Sequence, residues 1–332
     1  MITRRLLLQS GAAMGATLAA PSIARAAGKM IRLAHSSNEI HPGHKLATSF
    51  AEALEEQMPG AFNVQIFPNR QLGDDKQCLE SAVAGTVEMA MVSGVLIPLV
   101  TGRPAFDAWQ LPFLVRDYDH FEELALSPIG LKLQDDLEQA GIVGLSTADI
   151  GQRHFLSVKS QVRTISDMSG LKTRIVPVPL HKAIWETLGA APVGLPYGEI
   201  YGALETGVID AVEINVSSML GENLWEVGKN FTLTGHYPWH ATNVVSTGFW
   251  NTLSDEEKTA MREAGKAAVK ATLAYAKEQD LTGRDELKAK GVEILELDNL
   301  AEMQASVAPL TDEWAKKDPL IAEFVEAARA TA

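Results

Sequence analysis

The chain has 332 residues, 46% hydrophobic and 21% charged, which is the balance of a globular protein with room for two domains rather than of a disordered chain. Its 29 basic and 42 acidic residues give a formal net charge of −13, which argues against a nucleic-acid binder, since that needs a basic face to displace counterions, and against attachment to an anionic membrane surface. A single cysteine, Cys78, excludes an internal disulfide framework and a cysteine-based metal site.

Residues 1–26 hold three arginines and no acid. Thr3-Arg4-Arg5-Leu6-Leu7-Leu8 opens the stretch, small apolar residues follow to Ala20, and Ala24-Arg25-Ala26 fits the small-x-small site of signal peptidase. Paired arginines ahead of a mildly apolar run lead us to expect a twin-arginine export signal. An ordinary secretory signal and an uncleaved anchor are the alternatives. The run is short and rich in Gly, Ala and Thr, weak for a membrane span, and no other stretch approaches about 18 apolar residues. The mature protein is therefore expected to be exported and not membrane-embedded. Residues 27–332 carry 26 basic against 42 acidic side chains, a net −16.

Residues 31–35 read as a first strand. After His41-Pro42, the four-residue spacing of Leu46, Phe50, Leu54 and Met58 predicts one apolar helix face, stopped by Pro59-Gly60. Residues 62–66 alternate as a strand. Asp74-Asp75 open a second helix with Cys78, Leu79, Ala82 and Val83 on its face and Gly85 as its stop, and residues 87–92 form a third strand. This β-α-β-α-β order predicts a mostly parallel sheet covered by helices. A second such pattern starts after Gly151, with strands at 172–176 and 209–214 and helices at 180–188 and 197–205. Ser254-Asp255-Glu256-Glu257 is a capping box. Beyond it Gly and Pro are almost absent to Glu286, which predicts a helix of about 30 residues and about 45 Å, long enough to brace two lobes.

Catalytic motifs are absent: the chain has no G-x-S-x-G, H-E-x-x-H or G-x-G-x-x-G. Gly228-Lys229-Asn230 lacks both the glycine spacing and the Ser or Thr of a phosphate loop. His236 and His240 are separated by Pro238, so they read as loop or strand-end histidines rather than a helical metal pair, and neither metal nor cofactor is expected. The informative residue is Arg174, set in the apolar strand Leu171-Lys172-Thr173-Arg174-Ile175-Val176-Pro177. A buried guanidinium cannot lose its proton and must meet an anion, either an internal Asp or Glu or a ligand carboxylate gripped by two parallel hydrogen bonds. Arg153, in Gly151-Gln152-Arg153-His154-Phe155 at the lobe boundary, is a second such candidate or a solvated loop arginine.

Six stretches in this order carry a family resemblance. They are His41-Pro42-Gly43-His44-Lys45, Phe67-Pro68-Asn69-Arg70-Gln71-Leu72-Gly73, Leu111-Pro112-Phe113-Leu114-Val115-Arg116-Asp117-Tyr118, Arg153-His154-Phe155, Asp167-Met168-Ser169-Gly170-Leu171-Lys172-Thr173-Arg174, and the run from Tyr197-Gly198-Glu199 to Val208-Ile209-Asp210. Together they are spread across residues 41–210 and resemble the solute-binding subunits of tripartite ATP-independent periplasmic (TRAP) transporters, the dicarboxylate-binding DctP-like family. The resemblance implies an α/β protein of two lobes, each a mostly parallel sheet flanked by helices, joined by hinge strands and a long bracing helix. With residues 1–26 as signal peptide, lobe I would be 27–151 plus about 240–280, and lobe II 152–239 plus about 281–332. Hinge motion is expected at Gly151 and around 235–239.

The resemblance further implies a periplasmic binding protein, not an enzyme, that captures a small organic anion between its lobes and delivers it to a membrane permease. Arg174 would hold the carboxylate, Arg153 would assist, Tyr197 would pack on the ligand, and Ser36, Asp75 and Ser93 would line the pocket. The family's Glu-Asn-Pro reads here Glu213-Ile214-Asn215, so Glu213 or Asn215 would take the asparagine's role, which weakens the expectation of a sialic-acid-like ligand. The polar, aromatic His236-Tyr237-Pro238-Trp239-His240 puts Trp239 and His240 forward for a hydroxylated ligand such as a sugar acid. The alternatives are an exported lyase or hydrolase using Glu213 and a histidine, and a binder of a small sulfonate.

Overall fold

A computed structural model describes residues 28–331; the expected signal segment, 1–26, lies outside the described residues. Strand β1 (Lys29–Ala34), helix α1 (Pro42–Gln57), β2 (Phe62–Phe67), α2 (Asp75–Val83) and β3 (Met89–Ser93) are followed by α3 (Leu96–Thr101), α4 (Tyr118–Leu126), α5 (Pro128–Asp136) and β4 (Ile142–Gln152). Past Arg153 the chain continues as β5 (His154–Ser157), β6 (Lys172–Ile175), α6 (Pro179–Thr187), β7 (Ala191–Gly194), α7 (Ile200–Glu205), β8 (Ala211–Ile214), α8 (Val216–Gly221) and β9 (Asn230–Leu233). It returns through β10 (Pro238–Ser246) and α9 (Thr247–Trp250) to α10 (Asp255–Ala289), then β11 (Glu293–Glu296), α11 (Leu300–Ala315) and α12 (Pro319–Ala330). Among the described residues no helix is long and apolar enough to cross a membrane.

Local chemistry sets these elements. Helix α1 starts at His41, whose Nδ1 accepts from the Gly43 N–H at 3.0 Å, with Pro42 in the first turn where its missing N–H costs nothing. It buries Leu46, Phe50 and Leu54, the face its spacing predicts. Asp74 caps α2 through a capping box closed by Gln77. The helix expected at 197–205 begins with a 3-10 turn, Tyr197–Glu199, and becomes α-helical at Ile200.

Two sheets result, ordered β2-β1-β3-β10-β4 and β11-β9-β5-β8-β6-β7. In each, one strand runs against the rest: β10 is antiparallel to β3 and β4, and β5 is antiparallel to β8 and β9, while the other pairings are parallel. The reversed strands are the two that have just crossed from the other lobe. Strand β4 leaves the first sheet and becomes β5 across Arg153, and β9 leaves the second and becomes β10 across residues 234–237. The crossings run side by side, with Pro238 opposite Gln152. This connectivity turns the C-terminal ends of all the parallel strands toward the space between the sheets, where open α/β folds bind ligands.

Helix α10, 35 residues from its Ser254–Glu257 capping box, lies along α1 and β4 and runs on past α8 to β11, so one rod touches both lobes. Its approach to β4 needs Gly265, where a Cβ would sit 2.3 Å from the Leu145 carbonyl oxygen. Helix α12 lies on α5 and the turn 104–110, with Phe324 edge-on to Trp109 at 4.7 Å. Residues 319–330 therefore sit with the first sheet, although the sequence reading groups them with the second lobe. Their buried face of Ile321, Phe324, Val325 and Ala328 finds its apolar partner there.

Replacing glycine by alanine inside an exposed helix stabilises it by about 1 kcal/mol. Gly265→Ala is expected to do the reverse, lowering stability by about 1–3 kcal/mol in urea denaturation, because the methyl group meets backbone that cannot give. A stabilised variant would mean that α10 lies farther from β4.

Candidate functional site

The facing sheet edges border a cavity lined by residues of both lobes, the place where open α/β folds take small ligands. The first lobe supplies Ser36, Ser37 and His41 from the segment after β1, Asp75 from the first turn of α2, and Ser93 from the end of β3. The second supplies Arg174 from β6, Tyr197 from the turn after β7, and Ser218 from α8; Arg153 comes from the first crossing and Trp239 from the start of β10. Ser36, Asp75, Ser93, Arg153, Arg174, Tyr197 and Trp239 are thus brought together from distant parts of the chain.

Arg174 is 2% exposed. Its Nε and Nη2 donate to the Leu195 carbonyl oxygen at 3.0 and 2.8 Å. The side of the guanidinium is committed to backbone, and the end-on edge, Nη1 with the second N–H of Nη2, is left toward the cavity. Nη1 lies 4.0 Å from Glu213 Oε1, too far for a hydrogen bond. Burial, offset by Glu213 and reinforced by Arg153, lowers the Arg174 pKa to about 10, which leaves it cationic at neutral pH.

Arg153 is 1% exposed and fully engaged. Its Nε donates to Glu213 Oε2 and its Nη2 to the Glu213 carbonyl oxygen, Nη1 faces Asn215 Oδ1 at 3.5 Å, and its Cζ lies 3.9 Å from the centre of the Trp239 ring. Asn215 is itself fixed, donating to the Ile150 carbonyl at 2.8 Å and Ser217 Oγ at 3.0 Å. Gly151 makes room for it, with φ of +137° and no Cβ, which would come within 2.5 Å of Asn215 Nδ2. His181 Nδ1 is 4.0 Å from Glu213 Oε1, but burial pushes the imidazole far below its ordinary pKa, so it adds no charge. Two guanidiniums therefore share one carboxylate in a buried junction, an excess of one positive charge where charge is weakly screened.

Three residues singled out from the sequence lie off the cavity wall. Glu213 and Asn215 are fully buried behind Arg153, holding it rather than facing the cavity. His240 points to the opposite side of β10 from Trp239, as strand alternation requires, and lies by Gly94, Phe106 and Trp109. His236 bonds Thr234 Oγ1 at 2.7 Å in the crossing segment. Among the described residues no cluster of three or more His, Cys, Asp or Glu side chains has the geometry of a metal site.

On the facing wall, the Asp75 carboxylate accepts from Ser36 Oγ at 2.6 Å and Ser93 Oγ at 2.5 Å. Burial raises its pKa against the pull of those two hydroxyls. Other contacts join the lobes around the mouth. His41 Nε2 and Ser218 Oγ are 3.0 Å apart, Arg70 Nη2 lies 3.1 Å from Glu222 Oε1, and the Arg70 guanidinium covers Tyr197 at 4.8 Å. Sequence reasoning gave no role to His41, Arg70 or Ser218, although His41 and Arg70 fall within two of the quoted stretches. His41 looks like a helix cap, and it is one, but its second nitrogen reaches across the cleft.

A family model described as bacterial extracellular solute-binding protein, family 7 (DctP), matches residues 33–318. A C4-dicarboxylate-binding periplasmic protein, DctP, of Rhodobacter capsulatus is 31% identical over 99% of both chains. The crystal structure of a TRAP periplasmic solute-binding protein from a Polaromonas species, bound to D-erythronate, superposes with a TM-score of 0.85 at 26% identity, covering 91% of this chain and 98% of that one. Another from Chromohalobacter salexigens, with bound D-glucuronate, gives 0.84 at 27% identity, covering 91% of this chain and 100% of that one.

Glu213→Gln would leave two buried guanidiniums without a counter-ion. We expect a stability loss of about 3–5 kcal/mol in urea denaturation of the ligand-free protein. An unchanged midpoint would mean that Arg153 and Arg174 do not depend on this carboxylate.

Proposed function

Since this chain belongs to the bacterial extracellular solute-binding proteins of family 7, we propose that it is the periplasmic solute-binding subunit of a TRAP transporter, and that it captures a small hydroxylated carboxylate, such as a sugar acid, between its lobes. The observation that carries the ligand class is the end-on edge of Arg174, a desolvated cation whose remaining donors have no protein acceptor among the described residues. A carboxylate accepts there through both oxygens and cancels the excess charge of the cluster. Tyr197 and Trp239 offer ring faces to the ligand's carbon chain, and the serine and aspartate wall offers partners for its hydroxyls.

Capture and delivery follow from the two-lobe geometry. The carboxylate is held by the second lobe and the hydroxyls by the first, so a ligand makes its full set of contacts only when the lobes are closed, and binding shifts the population toward closure. The crossings at Gly151–Arg153 and 234–237 would take up the backbone change while α10 pivots. In the closed form Arg70–Glu222 and His41–Ser218 draw the rim together, giving a membrane permease a surface that differs between loaded and empty protein. Export through the signal at 1–26 would place the protein in the periplasm.

The enzymatic alternative assigns the chemistry to Glu213 and a histidine. Glu213, the residue it would use, is turned away and bonded to Arg153, and neighbouring His181 is held neutral. Binding without turnover is the reading we adopt. The planar end of a guanidinium also suits the coplanar oxygens of a carboxylate better than the three of a sulfonate.

Calorimetry with D-erythronate and D-glucuronate tests this reading. Losing a desolvated charge-assisted pair costs about 2–5 kcal/mol, so Arg174→Ala should weaken whichever acid binds by roughly 30-fold to several thousand-fold. Arg174→Lys should also bind poorly, because it lacks the planar edge. Undiminished affinity in Arg174→Ala would overturn the carboxylate clamp.

A further inference from the structure

We infer that Asp75, held between Ser36 and Ser93, makes this cleft selective for acids with one carboxylate and a hydroxylated far end, and turns it against dicarboxylates. The inference rests on the reading of Arg174 as the carboxylate anchor. Membership of the family does not by itself separate acids with one carboxylate from acids with two.

Charge balance gives the first reason. The junction holds two guanidiniums against Glu213, a surplus of one positive charge, and one ligand carboxylate cancels it. The second reason is the wall that the far end of the ligand meets. Asp75 stands on the first lobe, faces the cavity, is 9% exposed, and uses both oxygens to accept from serine hydroxyls. The lone pairs left on those oxygens can take further donors, and a ligand hydroxyl supplies one. A second carboxylate has no hydrogen to give and would stand against a buried like charge.

Among the described residues no cation is paired with Asp75. His41 is held neutral, with its pKa lowered by burial to about 3. Lys76 also borders the cavity, but its Nζ lies 3.5 Å from Glu80, one turn along α2. Asp74, also on the wall, adds negative charge. Discrimination of this kind works through the repulsive element as much as through the attractive one.

Pairs of acids that differ only at the far end test the inference: D-erythronate with meso-tartrate, and D-galactonate with galactarate. Each pair exchanges a terminal hydroxymethyl group for a carboxylate and keeps the anchor. Calorimetry on the full mature chain should favour the monocarboxylate of whichever pair binds by about 100-fold or more. Asp75→Asn keeps the shape and can still bond both serines, so its melting temperature should stay near wild type while the preference falls to about tenfold or less. Equal affinity of wild type for both members of a pair would overturn the inference, as would a preference that Asp75→Asn leaves intact, even with Arg174→Ala still abolishing binding. If wild type binds no member of either pair and no D-glucuronate, the reading of the site as a sugar-acid clamp fails, and the inference falls with it.

Discussion

Arg153, Glu213 and Arg174 form one buried charge cluster, and its imbalance is the constraint on which the rest of the site depends. A guanidinium taken out of water needs an anion or a full set of acceptors. Arg153 has both, in the Glu213 carboxylate, the Glu213 carbonyl and the face of Trp239. Arg174 has hydrogen bonds only to the Leu195 carbonyl along one side, with the Glu213 carboxylate 4.0 Å from Nη1. The fixed carboxylate is bonded to the arginine at the lobe crossing, and the arginine of β6 is the one that the proposed function completes with a ligand. The electrostatic asymmetry thus follows from which strand each arginine occupies.

The fold explains why that cluster lies where a moving part can use it. The chain passes from the first sheet to the second at Arg153 and comes back next to it, with Pro238 opposite Gln152. Every parallel strand ends at the same gap, so side chains from β1, β3, β6 and the turns after β2 and β7 converge there without long loops. Under the proposed function the anchor for charge belongs to one lobe and the acceptors for hydroxyls to the other, so a ligand that satisfies both has to bridge them. Arg70 and His41 join the same two lobes beside that gap, to Glu222 and Ser218. Binding would then be coupled to closure of the lobes.

Much of this was legible in the residues. Four-residue apolar spacing located α1, a capping box located α10, and a cationic residue flanked by Ile and Val in a short strand drew notice to Arg174 before any contact was known. Harder to read were features that depend on which way a side chain turns. Trp239 and His240 are neighbours of similar polarity, and only the phase of β10 sends the first to the cavity and the second to Gly94. Glu213 and Asn215 occupy the right strand and its exit but serve Arg153 from behind. Arg174 was expected to present two parallel donors, and the pair along its side is already taken by Leu195, so the grip comes from the end. Arg70 and Glu222 are far apart in sequence and meet only across the two lobes. Helix α12 carries a clear apolar face but no sign of which lobe will cover it.

The central claim is that a ligand carboxylate completes Arg174. A crystal structure of the mature protein with the acid recovered from its native source tests this most directly. The account predicts both carboxylate oxygens within about 3.2 Å of Nη1 and Nη2 of Arg174, with Arg153 still bonded to Glu213. A complex in which Arg174 has closed onto Glu213 and the acid's charge is met elsewhere in the cleft would contradict it.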